Sequence, residues 1–311
     1  MTKRKPIKIG ERDIDILVAI DRCPLTADQL FQLSETFCRP FTDKHGLRRR
    51  LRQLEFGSLL RSRPYSVCST GRSPNYYKLT PKGYRQIYGL KSPLPKPRYF
   101  RSISHGHHHH TKSLSDFIVH VSRLAFRHGW SIENFQRENS VRFEAAGRPL
   151  LPDACFQIRT KDRLLNFVVE LDNGTERVRS RQDVESIQRK IQRYDLHASQ
   201  NRADADRYFV LFVTTRSSQR VNNIVSTAQE VMRNAQRSLF YTTNLDDFLI
   251  TGDLLQDRVF IDNTGRHRSL VRPVGGKARK HRFLDASHRN DVITSNSCRK
   301  AVPHELPLTK V

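Results

Sequence analysis

The stretch 166–176, NFVVELDNGTE, sets two carboxylates on alternate positions, Glu170 and Asp172, directly after the apolar run Phe167-Val168-Val169. Strand side chains alternate between faces, so the two acids share one face at the end of an expected strand. Upstream, LLPDACFQI carries Asp153 after Pro152. Acids gathered where strands end suit a hard divalent cation such as Mg²⁺, or Mn²⁺. Such an ion prefers oxygen donors and keeps waters that can be activated against a phosphodiester. Asp153, Glu170 and Asp172 are therefore the candidate metal ligands, and with Lys190 they are the candidate catalytic residues. Lys190 lies in QRKIQRY, on a following helix, from which its ammonium can reach back to the strand ends. A plainer alternative stands beside this one. Asp172-Asn173-Gly174 also makes a good turn, and Asp153 and Lys190 also suit a solvated sheet rim.

The elements that must hold these residues follow from hydrophobic period. TKSLSDFIVHVSRLAFRHGW places Leu114, Phe117, Ile118, Val121, Leu124 and Ala125 on one helical stripe. WSIENFQRE, LLPDACFQIRT and RLLNFVVELD are three candidate strands. The last two are separated by a Lys161-Asp162-Arg163 turn, as in an antiparallel pair. ERVRSRQDVESIQRKIQRYDLH is a long amphipathic helix with Val184, Ile187, Ile191 and Tyr194 inward. RYFVLFVTT reads as a central strand covered on both faces. SSQRVNNIVSTAQEVMRNA is a further helix, and SLFYTTNLDDFL a last short strand. The HGHHHH run at 105–110 could hold a metal as an affinity tag does. Without a nearby Cys or acid it reads more simply as a polar lead-in to the helix.

The amino-terminal part has a different character. ERDIDILVAID forms a helical face through Ile14, Ile16, Leu17 and Ile20, and Thr26 is an N-cap for a second helix with Leu30 and Leu33. Thr42 or Asp43 caps a third helix, in which Leu47, Leu51 and Leu54 point inward. Arg48, Arg49, Arg50 and Arg52 then take the remaining arc. Leu59-Leu60 and Tyr65-Ser66-Val67 are short strands around the loop CSTGRSP. NYYKLTPKGYRQI is a strand and then a helix capped by Thr80, with Pro81 at its first position. Three helices, a hairpin and a helix make a winged helix-turn-helix whose third helix is offered to the major groove of double-stranded DNA. Lys44, Arg48, Arg49, Arg50 and Arg52, with Arg72 at the wing tip, are the candidate DNA contacts. Winged helices also serve as protein-interaction modules, and an arginine arc can be merely solvated.

Charge supports a polyanionic partner. The chain of 311 residues carries a formal +24, and residues 1–100 hold 21 Lys and Arg against 8 Asp and Glu, a surplus of 13. Such an imbalance attracts nucleic acid. There is no run of 18 uncharged apolar residues, so no membrane span is expected. MTKRKPIKIG lacks the apolar centre of a secretory signal. Five cysteines without a CxxC pair fit a reducing cytoplasm. The domain reading is 8–90 for the DNA-binding domain, 91–104 for a proline-rich linker (Pro93, Pro95, Pro97), 105–271 for the second domain and 272–311 for a flexible basic tail.

The order α-β-β-β-α-β resembles the restriction-endonuclease-like fold of the PD-(D/E)XK nucleases. The expected fold class is therefore α+β, a winged helix-turn-helix followed by that α/β domain. The nuclease pattern implies a Lys two positions after the Glu, where this chain has Asp172; Lys190 is the stand-in, as in divergent members. The combination also resembles the replication-relaxation family of bacterial plasmid and mobile-element proteins. The resemblance rests on His110 before TKSLSDF, Pro152-Asp153-Ala154, Glu170-Leu171-Asp172, Gly174-Thr175-Glu176, and Lys190 with Tyr194. It implies a role in plasmid replication and DNA relaxation, an acid–x–Asp strand end as a family feature, and replication or conjugation proteins as further partners. It leaves open whether the second domain is a Mg²⁺-dependent endonuclease or nickase. Two alternatives are a transcriptional regulator whose second domain dimerises or senses an effector, as a homodimer would, and a restriction-type or transposon-associated endonuclease.

Overall fold

The computed structural model describes residues 7–66, 73–138, 140–145, 147–179, 186–200 and 207–272. Arg72, Val67 and Val184 lie outside the described residues, as does all but Arg272 of the expected basic tail.

The first elements are helix α1 (Glu11–Arg22), strand β1 (Leu25–Thr26), helices α2 (Ala27–Leu33) and α3 (Lys44–Phe56), strands β2 (Leu60–Pro64) and β3 (Asn75–Leu79), and helix α4 (Pro81–Tyr88). Helices α2, α3 and α4 each start where the sequence offers a side-chain cap. The Thr26 hydroxyl accepts from Gln29 N while Gln29 Oε1 accepts from Thr26 N, a reciprocal box at the head of α2. Asp43 caps α3 through Gly46 N at 2.7 Å, and Thr80 caps α4 through Gly83 N at 3.0 Å. The strands form a small sheet of order β1-β3-β2, antiparallel throughout.

The remaining elements build a mixed sheet of seven strands. Helix α5 (His108–Arg127) leads to β4 (Ser131–Arg137), a short hairpin of β5 (Phe143–Ala145) and β6 (Arg148–Leu150), then β7 (Ala154–Arg159) and β8 (Leu164–Asp172). Helix α6 (Ile187–Gln200), β9 (Tyr208–Thr214), α7 (Ser218–Val231), β10 (Phe240–Asn244), α8 (Leu245–Leu249), β11 (Phe260–Asp262) and β12 (His267–Arg268) complete it. The strand order is β12-β11-β10-β9-β8-β7-β4. β7 runs antiparallel to β4 and β8, while β8, β9 and β10 are mutually parallel. The fold is thus a mixed α+β architecture. The expected β-β-β-α-β succession is realised by β4, β7, β8, α6 and β9; the β5–β6 hairpin and the β11–β12 pair were not anticipated. No helix among the described residues is long and apolar enough to cross a membrane.

The period of two along β8 sorts its side chains between two cores. Phe167, Val169 and Leu171 join the α5 side, whereas Val168 joins Ile187, Ile191 and Tyr194 of α6. The α5-side core runs on into Ile16, Leu30, Leu47 and Leu54 of the first helices, so the amino-terminal part shares it. Polar ties reinforce that seam. Gln29 Nε2 donates to Asp116 Oδ1 at 2.6 Å, and Ser115 Oγ donates to Pro24 O at 2.8 Å.

The proline-rich connector is seated, not free. Residues 97–100 make one 3-10 turn. From it the Tyr99 hydroxyl donates to Asp21 Oδ1 at 2.6 Å, while its ring lies 4.0 Å beneath the Arg137 guanidinium. Asp21 also accepts from the Tyr88 hydroxyl and from Arg137 Nη1. His108 of the histidine run is buried, and its Nδ1 accepts from Ser66 N at 2.7 Å. That fixes the proton on Nε2, which donates to Ile103 O at 3.1 Å.

Candidate functional site

Asp153 sits one residue before β7, and its backbone N donates to Val169 O at 3.0 Å. Because Ala154 pairs with Val169, Asp153 stands opposite Glu170 across the two strands. Asp153 Oδ2 accepts from Leu171 N at 2.7 Å. Its Oδ1 faces His110 Nε2, on the first turn of α5, at 3.0 Å. Burial lowers the His110 pKa, but the hydrogen bond and charge of Asp153 outweigh it and hold the imidazole above its usual value.

Glu170 is buried. Its Oε1 accepts from the Tyr194 hydroxyl at 2.5 Å and its Oε2 from Lys190 Nζ at 2.9 Å. Lys190 and Tyr194 are one turn apart on α6 and so present one face to the strand end. Lys190 Nζ also meets Glu176 Oε1 at 3.0 Å. Burial pushes the Glu170 carboxyl up to about 7, with the Asp153 charge adding to the rise and Lys190 opposing it. Burial depresses Lys190 too, but the two glutamates overcome this and raise it above its usual value. The lysine therefore keeps its proton and the centre is a closed polar network: His110–Asp153 on one side, Lys190 between Glu170 and Glu176 on the other.

Asp172 belongs to a different arrangement, although it shares Glu170's face. Arg220, on α7, grips it with two parallel bonds, Nε to Oδ2 and Nη2 to Oδ1, both 2.8 Å. The Thr214 hydroxyl and Gly174 N, each at 2.9 Å, fill its remaining acceptor positions. Gly174 makes that turn with φ of +73°, a conformation favouring glycine. α6 covers position 170 and α7 covers position 172, so neighbouring acids acquire unlike partners.

The expected three metal ligands are accordingly not gathered into one site. All six oxygens of Asp153, Glu170 and Asp172 already face protein donors. Among the described residues, no three His, Cys, Asp or Glu side chains are disposed to hold a metal ion together. Oxygen donors suit Mg²⁺, but the present arrangement does not fit it: an ion would have to displace Lys190 or His110.

A family model described as replication-relaxation matches residues 21–211, more than half of the chain and the whole span from α2 to β8 and α6. The chain belongs to the replication-relaxation family. The matched span contains His110, Asp153, Glu170, Asp172, Glu176, Lys190 and Tyr194, the residues that meet at the two strand-end networks. No curated protein and no solved structure matches the chain.

The amino-terminal basic surface of this replication-relaxation protein follows from α3. Leu47, Leu51 and Leu54 are fully buried, leaving Lys44, Arg48, Arg49 and Arg52 exposed. Asp28 takes Lys44 at 3.1 Å and Arg48 at 3.5 Å, pairs in which all partners are more than half exposed. Such surface pairs contribute about 0–1 kcal/mol and yield readily to a phosphate. Arg50 departs from the expected arc. It turns inward and grips Asp13 of α1 with Nε at 2.6 Å and Nη2 at 2.5 Å. A fork facing a buried carboxylate one helix away is more favourable than a solvated guanidinium. Sequence reasoning missed Arg61 and Arg63, exposed on β2, whose alternation was a legible signal, and Arg220, which no spacing announced.

Proposed function

We propose that the protein binds double-stranded DNA through the outer face of α3 and the adjoining strand β2, as a winged helix-turn-helix would. In this reading it works in the replication or relaxation of plasmid or mobile-element DNA. The observation that carries the reading is the split of α3: three leucines fully buried, and Lys44, Arg48, Arg49 and Arg52 exposed on the other side. Arg50 is reserved for α1 and is not a DNA contact in this reading. Family membership supports the theme of replication and relaxation. Duplex binding by gel shift, compared with an Arg48→Ala/Arg49→Ala/Arg52→Ala variant, tests it; equal affinity in the two would overturn it.

A second reading assigns Asp153, Glu170 and Lys190 to phosphodiester handling, on the PD-(D/E)XK-like succession of elements. What favours it is that Glu170 stands opposite Asp153 and meets Lys190 Nζ at 2.9 Å. A backbone phosphate arriving at this edge would draw the Lys190 ammonium away from its carboxylates, and Glu170, with its pKa lifted to about 7, would then be a proton acceptor beside it. Tyr194 is fully buried and its hydroxyl is held well above its usual pKa by burial, so it positions Glu170 and is no nucleophile. Supercoiled plasmid incubated with Mg²⁺, Mn²⁺ or chelator, using wild type and Glu170→Ala, decides the matter. Nicking by wild type and not by the variant supports this reading. Intact supercoils in DNA-bound wild type remove it and leave a DNA-binding regulator.

A further inference from the structure

A cleft opens where α1, β3, the proline-rich connector and β4 meet, and it encloses about 470 Å³. Two cations line it, Arg22 at the end of α1 and Lys78 on β3. Both are half-buried. Burial lowers the pKa of each, and with Arg137 adding to the fall it brings Lys78 down to about 8. Among the described residues neither has a carboxylate within ion-pair distance. Backbone oxygens alone hold them: Lys78 Nζ donates to Arg101 O at 2.7 Å, and Arg22 Nη2 makes only a long bond of 3.5 Å to Ile132 O. The inner acids of the cleft are already engaged. Asp21 takes the Tyr88 and Tyr99 hydroxyls and Arg137, and Asp153 takes Leu171 N and His110. Glu138 is exposed at the rim, as are Lys96 and Arg98. The rest of the lining includes Leu79 and the half-buried ring of Phe135, whose centre lies 5.9 Å from the Arg22 guanidinium.

A half-buried charge without a counter-charge is costly, and an incoming anion removes that cost. An ammonium on a flexible stem suits a phosphate. An aromatic ring beside a guanidinium plane suits an unpaired base, which stacks on either. The volume falls among ordinary small-ligand clefts of about 300–1,000 Å³, which likewise combine an apolar lining with a few polar groups. We propose that this cleft holds one nucleotide, its phosphate on Lys78 and its base against Phe135 and Arg22. A free nucleotide and a nucleotide within a single strand present the same groups. The proposal depends neither on the acidic strand end being catalytic nor on the α3 surface binding duplex DNA.

The test uses the full chain in buffer of about 0.15 M ionic strength, where diffuse attraction is screened beyond about 8 Å. Affinity is measured for inorganic phosphate, deoxyadenosine monophosphate and a labelled single strand of about eight nucleotides, a length typical of single-strand sites. The variants are Lys78→Met, Lys78→Arg and Phe135→Leu, each assayed below its own melting transition. Arg159→Gln, which removes an exposed charge outside the cleft, is the control. We expect the monophosphate or the strand to bind wild type more tightly than inorganic phosphate does. Lys78→Met should weaken that binding about tenfold, the loss of one charge-assisted bond, and Lys78→Arg should keep most of it. Phe135→Leu, still apolar but without a stacking face, should weaken it independently of charge. The control should bind as wild type does, and Lys78→Met should still shift duplex DNA, which separates this site from α3. Loss of monophosphate binding identifies a free nucleotide; loss confined to the oligonucleotide identifies a nucleotide within a strand. The proposal is overturned if wild type binds neither, if inorganic phosphate binds as tightly as both, or if Lys78→Met and Phe135→Leu leave every affinity unchanged. It is overturned equally if the control loses as much as Lys78→Met, or if Lys78→Met loses duplex binding in the same proportion.

Discussion

Replacing Asp172 with Asn separates structure from chemistry at the strand end. Asn has the same shape, but its Nδ2 donates where Asp172 accepts, so a donor would face the Arg220 fork or the Gly174 and Thr214 donors. The Asp172 side chain is 6% exposed and that of Arg220 17%. Breaking one side of so covered a pair typically costs about 3–5 kcal/mol, because a buried charge is left without its partner. Arg220 also donates to Glu176 O and has some access to water, which puts the expected loss near the lower end, about 3 kcal/mol. At about 2–4 °C per kcal/mol for a chain of this class, the melting temperature should fall by about 6–12 °C. The assay is thermal unfolding followed by circular dichroism, with plasmid nicking and gel shift run on the same preparations below the transition. A double variant, Asp172→Asn/Arg220→Met, should recover part of the loss, since it removes the stranded charge. If Asp172→Asn melts within about 2 °C of wild type, less than the shift for one kcal/mol, and yet abolishes nicking, the reasoning fails and Asp172 belongs with Glu170 in the chemistry.

The α3 arginines give a graded expectation. If Arg48, Arg49 and Arg52 each meet a phosphate, the triple alanine variant should flatten the plot of log affinity against log salt by about 2–3, at about 0.9 per contact; an unchanged slope would place the phosphates elsewhere. Asp262 gives a pH signature. Burial alone would raise its carboxyl, but Thr264, Arg268 and the Arg266 backbone N hold it at about 2. A depressed carboxyl stabilises above its unfolded value and loses that stability as pH falls towards the folded one. Asp262→Asn should therefore cost about 2 kcal/mol at pH 7, a difference that shrinks between about pH 4 and 2; urea titrations across that window check it, and a pH-independent gap would refute it. At Gly83 an added Cβ would lie 2.1 Å from Leu59 O, a backbone atom. Gly83→Ala should accordingly destabilise by about 1–3 kcal/mol by overpacking, and a melting temperature equal to wild type would show that α4 can shift away from that carbonyl.

The parts of the fold that were legible in the sequence are those written in local pattern. Period and caps gave α1 to α4 nearly to the residue: Thr26, Asp43 and Thr80 each accept the backbone bond their spacing promised. The apolar run Phe167-Val168-Val169 gave β8, and the Lys161-Asp162-Arg163 turn gave its antiparallel partner β7. What failed was long-range. Arg50 looked like its neighbours because a helical arc says nothing of a carboxylate on α1. The β5–β6 hairpin escaped because three-residue strands carry no period. Nothing in the proline spacing of 93–97 indicated that Tyr99 would dock on Asp21.

The strand end shows the same limit in its most consequential form. Glu170 and Asp172 are indistinguishable by strand periodicity: same face, same apolar lead-in. Their chemistry is set by what crosses above them, and that is decided 20 to 48 residues later in the chain, by Lys190 and Tyr194 on α6 and by Arg220 on α7. Lysine is a point charge on a flexible stem that can leave a carboxylate for a phosphate, whereas the arginine fork binds its carboxylate at two points and resists replacement. Lys190 moreover divides itself between Glu170 and Glu176, so releasing one leaves it still paired. In the phosphodiester-handling reading, the Glu170 pair would therefore be the one to open, with the Asp172 pair holding the turn and α7 in place.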